Sequence, residues 1–259
     1  MNTLLKKCLL SLAMVGGLLP ALHASAAPSA ELKGENVVLV HGAFADGSSW
    51  DKVVPILEAK GLHVVAVQNP LSSLADDVSA TRRVIEQQTG PVILVGHSAA
   101  GVVISQAGND DKVKSLVYVA AFAPDSGQSI NDILKGLPAP AWASQLRKDS
   151  AGFLTLSDDA IIHDFASDLP VAQARLIAAT QGPLFAGYFD DKVTQAAWHT
   201  KPSVFVITGK DHMIDPRLQA AMAKNIGATV VHVDASHVAM LSQPQQVAAA
   251  IIAAAENAK

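Results

Sequence analysis

The chain runs to 259 residues, half of them apolar and 16% charged, with a formal net charge of −4. With no basic run, it lacks the clustered Lys and Arg that grip a phosphate backbone, which argues against a nucleic-acid partner. Its single cysteine, Cys8, excludes an internal disulfide framework and a multi-thiolate metal site.

The first thirty residues, MNTLLKKCLLSLAMVGGLLPALHASAAPSA, stand apart. Lys6 and Lys7 precede an almost continuously apolar run, Cys8 to Leu22, and Ala24-Ser25-Ala26 fits an A-x-A cleavage site. That order is a secretory signal peptide, so residues 1–26 are expected to be removed and the protein exported to the periplasm or the medium. Gly16, Gly17 and Pro20 interrupt the run, which is short of the roughly 20 residues a membrane span needs. No stable membrane anchor is therefore expected after cleavage, and the mature chain keeps no thiol and a net charge of −6. Residues 27–259 are enough to bury a core as one domain.

Short apolar runs then alternate with longer amphipathic ones. NVVLVH (36–41), HVVAVQ (63–68), PVILVG (91–96), VKSLVYVAA (113–121), SVFVITG (203–209) and ATVVHV (228–233) read as strands. Val and Ile on both faces suit strands covered by helices on each side. WDKVVPILEAK, ADDVSATRRVIEQQ and DPRLQAAMAKNIG read as the helices between them, and an Ala-rich helix over 246–258 closes the chain. Strand–helix alternation predicts an α/β fold with a mostly parallel sheet. One interval, about 124–201, shows no convincing strand and is too long for a plain connection, so it reads as a helical cap insertion. Its aromatics, Trp142, Phe153, Phe165, Phe185, Tyr188, Phe189 and Trp198, either form a small core of their own or roof a pocket.

Ser98 lies in GHSAAG, directly after the strand PVILV. A serine on a sharp strand-to-helix turn is pushed into a strained backbone that projects its hydroxyl, and G-x-S-x-G is the usual pattern. Here Ala100 replaces the second glycine, and a helix-capping serine is the plainer alternative. A nucleophilic serine needs a base, itself oriented by a third group. Of the eight histidines beyond the signal segment, His237 follows the last strand at the sheet edge that carries Ser98. His97 is expected to be structural and His41 to organise the loop after the first strand. His63, His163, His199, His212 and His232 have no comparable position. Asp211 leaves the strand SVFVITG at the same edge, and Asp125, after VKSLVYVAA, is its rival. Asp215 precedes Pro216 and suits a helix N-cap, while Asp234 suits a loop role. Ser98…Asp211…His237 is the chain order of an α/β-hydrolase triad. The N–H of Ala99, after the serine, and that of Ala43, in the HGAF loop, are the expected oxyanion donors. Phe44, Phe122 and Trp142 are expected to line the substrate pocket.

LVHGAF, VGHSAAG, VYVAAFAPDSG, ITGKD and ASHVAMLSQP together resemble the α/β-hydrolase superfamily. Within it they resemble the branch of plant methyl esterases and hydroxynitrile lyases, with many small bacterial esterases. The likeness runs from Asn36 to Ala255 and is weakest across 126–200. It implies a cap over a Ser98–His237–Asp211 triad, with Ala43 and Ala99 as oxyanion donors. The lyases of that branch carry threonine at the position of Gly42 and lysine at that of Val238, so an esterase is implied. The expected activity is hydrolysis of a small to medium, fairly apolar carboxylic ester, a small-molecule substrate, with no metal and no organic cofactor. A lactonase, a C–C bond hydrolase or a cofactor-free perhydrolase would use the same triad. A non-catalytic ligand-binding homologue would follow if Ala100 disabled the turn.

Overall fold

The computed structural model describes residue 32 and residues 35–258. The expected signal segment, 1–26, lies outside the described residues. In the first half strand and helix alternate: β1 (Asn36–Val40), α1 (Val54–Glu58), β2 (His63–Val67), α2 (Leu74–Gln87), β3 (Val92–His97), α3 (Ala100–Ala107) and β4 (Val113–Val119). The Val/Ile runs of β1 and β3 are buried along their whole length, as strands covered on both faces must be. Helix α2 starts where Ser73 caps it, its hydroxyl accepting the Asp76 N–H, and Asp76 and Asp77 in the first turn oppose the positive end of the helix dipole.

Between β4 and the next sheet strand lies the cap. It contains α4 (Ile130–Leu134), β5 (Leu146–Lys148), β6 (Phe153–Leu156), α5 (Asp158–Ala160), a π-helical turn at Ile161–Phe165, α6 (Val171–Thr180) and β7 (Leu184–Phe185). The expectation of a strand-free insertion is thereby corrected. β5, β6 and β7 form a small antiparallel sheet, with Leu146 opposite Leu156 and Leu154 opposite Leu184. Segments of two to four residues are too short to show an alternation, and only their pairing makes them strands. The Phe153 and Phe185 rings meet across that sheet at 5.5 Å, whereas Phe165 and Tyr188 are buried.

The chain then re-enters the large sheet with β8 (Ser203–Thr208), α7 (Pro216–Asn225), β9 (Thr229–Val233), α8 (Ala239–Ser242) and α9 (Pro244–Asn257). The six strands are all parallel, in the order β2-β1-β3-β4-β8-β9. From β1 the chain moves one way to β2, then returns past β1 to β3 and continues outward. Right-handed crossovers place helices from opposite directions of travel on opposite faces. Accordingly α1 packs with α9 in one layer and α2 with α3 in the other. The reversal makes β1 and β3 neighbours, with Val40 beside Gly96. The loops leaving their carboxyl ends diverge there and open a crevice, the usual ligand position in such sheets.

Candidate active site

Ser98 sits in that crevice, between the last residue of β3 and the first turn of α3. Its φ is 54°, in the left-handed region that a non-glycine residue enters only when its surroundings compel it. The compulsion comes from β4. The Ser98 N–H donates to Val119 O at 3.1 Å, and Ser98 O accepts from Phe122 N at 3.1 Å. Close packing of turn against strand is possible because two flanking positions lack side chains. A Cβ on Gly96 would lie 2.7 Å from Ala100 O, and one on Gly101 only 1.9 Å from Phe122 O. Ala100 itself is buried, and the strained turn forms with its methyl in place. The glycine that this turn requires on the far side of the serine is Gly101, one residue later than the usual pattern.

His237 and Asp211 meet beneath the crevice. His237 Nδ1 lies 2.8 Å from Asp211 Oδ2, with both side chains essentially excluded from solvent. Asp211 also accepts from Thr208 Oγ1 at 2.8 Å and Gln219 Nε2 at 2.8 Å on the same oxygen. Its other oxygen takes the N–H groups of Met213 at 2.7 Å and Ile214 at 3.0 Å. With a carboxylate as acceptor, Nδ1 carries the His237 proton and Nε2 presents a lone pair. Nε2 is buried and has no hydrogen-bond partner. The Ser98 hydroxyl and His237 are thus not bonded to each other, a contact that commonly closes only around substrate.

His97 ties β3 to this histidine. Its Nε2 donates to His237 O at 3.0 Å, and the two rings lie 4.6 Å apart between centroids. Burial, reinforced by the adjacent His237 imidazole, holds the His97 pKa well below its ordinary value, so it serves as a neutral donor. The structural role expected for His97 is what its contacts describe. His41 likewise organises the following loop. Its Nε2 accepts the Asn69 N–H at 2.9 Å, which leaves Nδ1 to donate to Gly42 O at 2.9 Å. That loop puts Ala43 beside the serine, and Phe44 adopts a φ of 58°. Neither the Ala43 nor the Ala99 N–H donates to another group among the described residues. Two unspent donors beside a serine can stabilise an oxyanion.

Ser98, Ala43 and Ala99 open onto a cavity of about 970 Å³. Phe44, Phe122 and Trp142, the three side chains expected at the pocket, all line it, with Phe165 and Phe189 from the cap. Trp142 is anchored by its indole N–H donating to Met213 O at 3.1 Å, next to the Asp211 turn. The remaining cap aromatics divide as their contacts dictate: Trp198 donates to Pro124 O at 2.8 Å and stacks on His199, away from the cavity lining.

Asp125 is not part of this constellation. Its carboxylate meets His199 Nε2 at 2.7 Å on the surface. Asp215 caps α7, accepting the Arg217 N–H at 2.8 Å, and Asp234 pairs with Lys210 at 2.7 Å. Thr208 and Gln219 went unread in the sequence. Gln219 looks like any polar helix residue, and only its complete burial on α7 marks it. Asp168 was also missed: it accepts from the backbone N–H and the hydroxyl of Ser236. Among the described residues no cluster of three or more His, Cys, Asp or Glu side chains is placed to hold a metal ion.

A family model described as the alpha/beta hydrolase family matches residues 37–250. Methylesterase 2 of Arabidopsis thaliana is 27% identical over 264 residues, covering 88% of this chain and 99% of that protein. Salicylic acid-binding protein 2 of Nicotiana tabacum is 26% identical over 253 residues, covering 85% and 96% respectively. Among solved structures, a pyrethroid hydrolase from Sphingobium faniae aligns with a TM-score of 0.73 at 21% identity, covering 86% of this chain and 97% of that one, a likeness of fold. With a buried Asp–His pair, a serine on a strained turn and a capped parallel sheet, the chain belongs to the alpha/beta hydrolase family.

Proposed function

We propose that this chain is a carboxylic-ester hydrolase that works through Ser98, His237 and Asp211. His237 Nε2 takes the Ser98 proton as Oγ attacks the ester carbonyl, and the N–H groups of Ala43 and Ala99 hold the resulting oxyanion. The imidazolium returns the proton to the leaving alcohol. The neutral imidazole then takes a proton from the water that attacks the acyl-enzyme and gives it to Ser98 Oγ, restoring the serine and releasing the acid. The single observation that carries this reading is the buried His237–Asp211 pair, whose imidazole keeps Nε2 without a partner and lies 4.6 Å from the ring of His97, the residue before Ser98. The names of the relatives, a methylesterase among them, support ester chemistry.

The lining favours a small to medium, fairly apolar substrate, because the walls near the serine are Ala43, Phe44, Ala99 and Phe122. A lyase of the related branch would need a threonine at Gly42. A Cβ there would lie 2.7 Å from both Ser98 Cβ and His97 O, so the backbone would have to move. Lactone hydrolysis, C–C bond cleavage and perhydrolysis use the same triad, and a substrate panel separates them. The deciding experiment measures turnover of p-nitrophenyl esters of graded chain length by wild type and Ser98→Ala, with fluorophosphonate labelling of both. Hydrolysis and labelling are expected in wild type and absent in the variant. Wild-type turnover by Ser98→Ala would end the assignment, and a silent, unlabelled wild type would favour a binding protein. Export is proposed from Lys6, Lys7, the apolar run and Ala24-Ser25-Ala26. It predicts an exported form beginning near Ala27 on N-terminal sequencing, and a cytoplasmic protein retaining residues 1–26 would refute it.

A further inference from the structure

We propose that Asp168 is a positioning residue for the His237 base, so that the cap sets the geometry of proton transfer as well as the shape of the cavity. The proposal rests on the Ser98–His237–Asp211 reading above. Ser236, immediately before His237, is fully buried. Its backbone N–H donates to Asp168 Oδ2 at 2.8 Å, and its hydroxyl donates to Asp168 Oδ1 in a short hydrogen bond. Two parallel bonds to one carboxylate fix the rotation of a residue as well as its place, and bonds to a charged acceptor are among the stronger ones.

The neighbours on either side are held from elsewhere. Ala235 O accepts the Lys210 N–H at 2.9 Å, from the turn after β8. His237 O accepts from His97 at 3.0 Å, from the end of β3. Three successive residues are therefore pinned by three different parts of the fold, and the middle pin alone comes from the cap. Asp211 fixes Nδ1 of the imidazole, but where Nε2 points also depends on the backbone at 236–237.

The segment that supplies Asp168 reaches the substrate space too. Asp164 and Phe165, in its π-helical turn, line the cavity. The Phe165 ring meets the His237 ring edge to face at 5.2 Å. One short stretch of cap thus touches the cavity, the imidazole and the residue before it. A displaced Nε2 impairs proton transfer to and from the reacting oxygens more than it impairs binding, so the loss falls on kcat. The loss is greatest where the leaving group needs a proton. An alkoxide must collect one from His237, whereas p-nitrophenolate departs without it.

The test compares a methyl ester and the p-nitrophenyl ester of the same acid across wild type, Asp168→Ala, Asp168→Asn and Ser236→Ala. Asp168→Ala is expected to lose about tenfold in kcat on the methyl ester, with KM changed by less than about twofold. A clearly smaller loss is expected on the p-nitrophenyl ester. Asp168→Asn should recover most of the activity, since its amide oxygen accepts the Ser236 N–H while the hydroxyl turns to accept from the amide. An unchanged kcat, a rise in KM alone, or equal losses on both esters would overturn the proposal. If Asp168→Ala does not fold, Ser236→Ala carries the same test and must show the leaving-group-dependent loss. Ser98→Ala runs alongside. An inactive Ser98→Ala with a wild-type ester ratio in Asp168→Ala removes only the positioning role. A fully active Ser98→Ala removes the triad reading and this proposal with it.

Discussion

Asp211→Asn exchanges one carboxylate oxygen for a donor, and the five hydrogen bonds at that carboxylate decide where the amide goes. If the NH₂ took the Oδ1 position it would face the backbone N–H groups of Met213 and Ile214, at 2.7 and 3.0 Å, and neither can reverse. At the Oδ2 position it faces the Thr208 hydroxyl, which can rotate to accept, and His237 Nδ1, which can change tautomer. It also faces Gln219 Nε2, held as a donor because that amide already serves Ile214 O at 2.8 Å and its oxygen accepts Thr208 N at 3.1 Å. The second placement is cheaper, with one donor–donor conflict costing about 1–3 kcal/mol of stability. It also moves the His237 proton to Nε2 and removes the lone pair that the serine needs. The expected loss in kcat/KM is about 10³–10⁴-fold, equivalent to ~4–5.5 kcal/mol of transition-state stabilisation. Ester kinetics and thermal melting measure the two effects, and ¹⁵N chemical shifts of the imidazole report the tautomer. A folded Asp211→Asn with kcat/KM within tenfold of wild type, or with Nδ1 still protonated, would refute the reasoning.

Gly101→Ala should destabilise by about 3 kcal/mol or abolish folding, because its Cβ would enter the Phe122 carbonyl, in the segment just after β4. A variant that melts with wild type would show that α3 can slide away. Ala100→Gly, at the first residue of α3, should cost less than the roughly 0.5–1 kcal/mol of a mid-helix glycine and leave fluorophosphonate labelling of Ser98 near the wild-type rate. A tenfold change in labelling would mean that the methyl shapes the turn. Burial pushes the Asp77 carboxyl up to about 7, with Asp76 and Asp191 adding to the shift. The folded protein then keeps a proton that the unfolded chain has lost, so this group's contribution falls as pH rises from about 4 to about 7, by ~1.36 kcal/mol per unit at most. Asp77→Asn, which can still accept from the Leu71 N–H, should gain about 1–3 kcal/mol relative to wild type between pH 5 and pH 8. Parallel urea-unfolding stabilities at the two pH values would refute it.

The central strands of the large sheet were legible because burial on both faces demands nearly continuous apolar runs, and β1 and β3 carry them. Ser98, Asp211 and His237 each follow a Val-containing strand at its carboxyl end, β3, β8 and the exposed edge strand β9, so sheet polarity alone puts them on one edge. The cap resisted. FLTL and LF have no period to read, and they become strands only through Leu154 opposite Leu184 and Phe153 opposite Phe185. Asp125 and Asp211 looked alike as acids leaving strands, and nothing local distinguishes them. In space one meets His199 at the surface and the other meets His237 in the interior.

By itself, then, the sequence determined the α/β class and the one sheet edge on which Ser98, Asp211 and His237 lie, because these follow from hydrophobic runs and chain direction. Only the tertiary structure shows that the carboxylate meeting His237 is that of Asp211 and not Asp125, that Gly101 supplies the clearance the turn needs, and that Thr208, Gln219 and Asp168 stand behind Asp211 and the residue before His237. Those relations join residues from 3 to 68 positions apart. They depend on which side chains share a desolvated space, and no run of neighbouring residues encodes that.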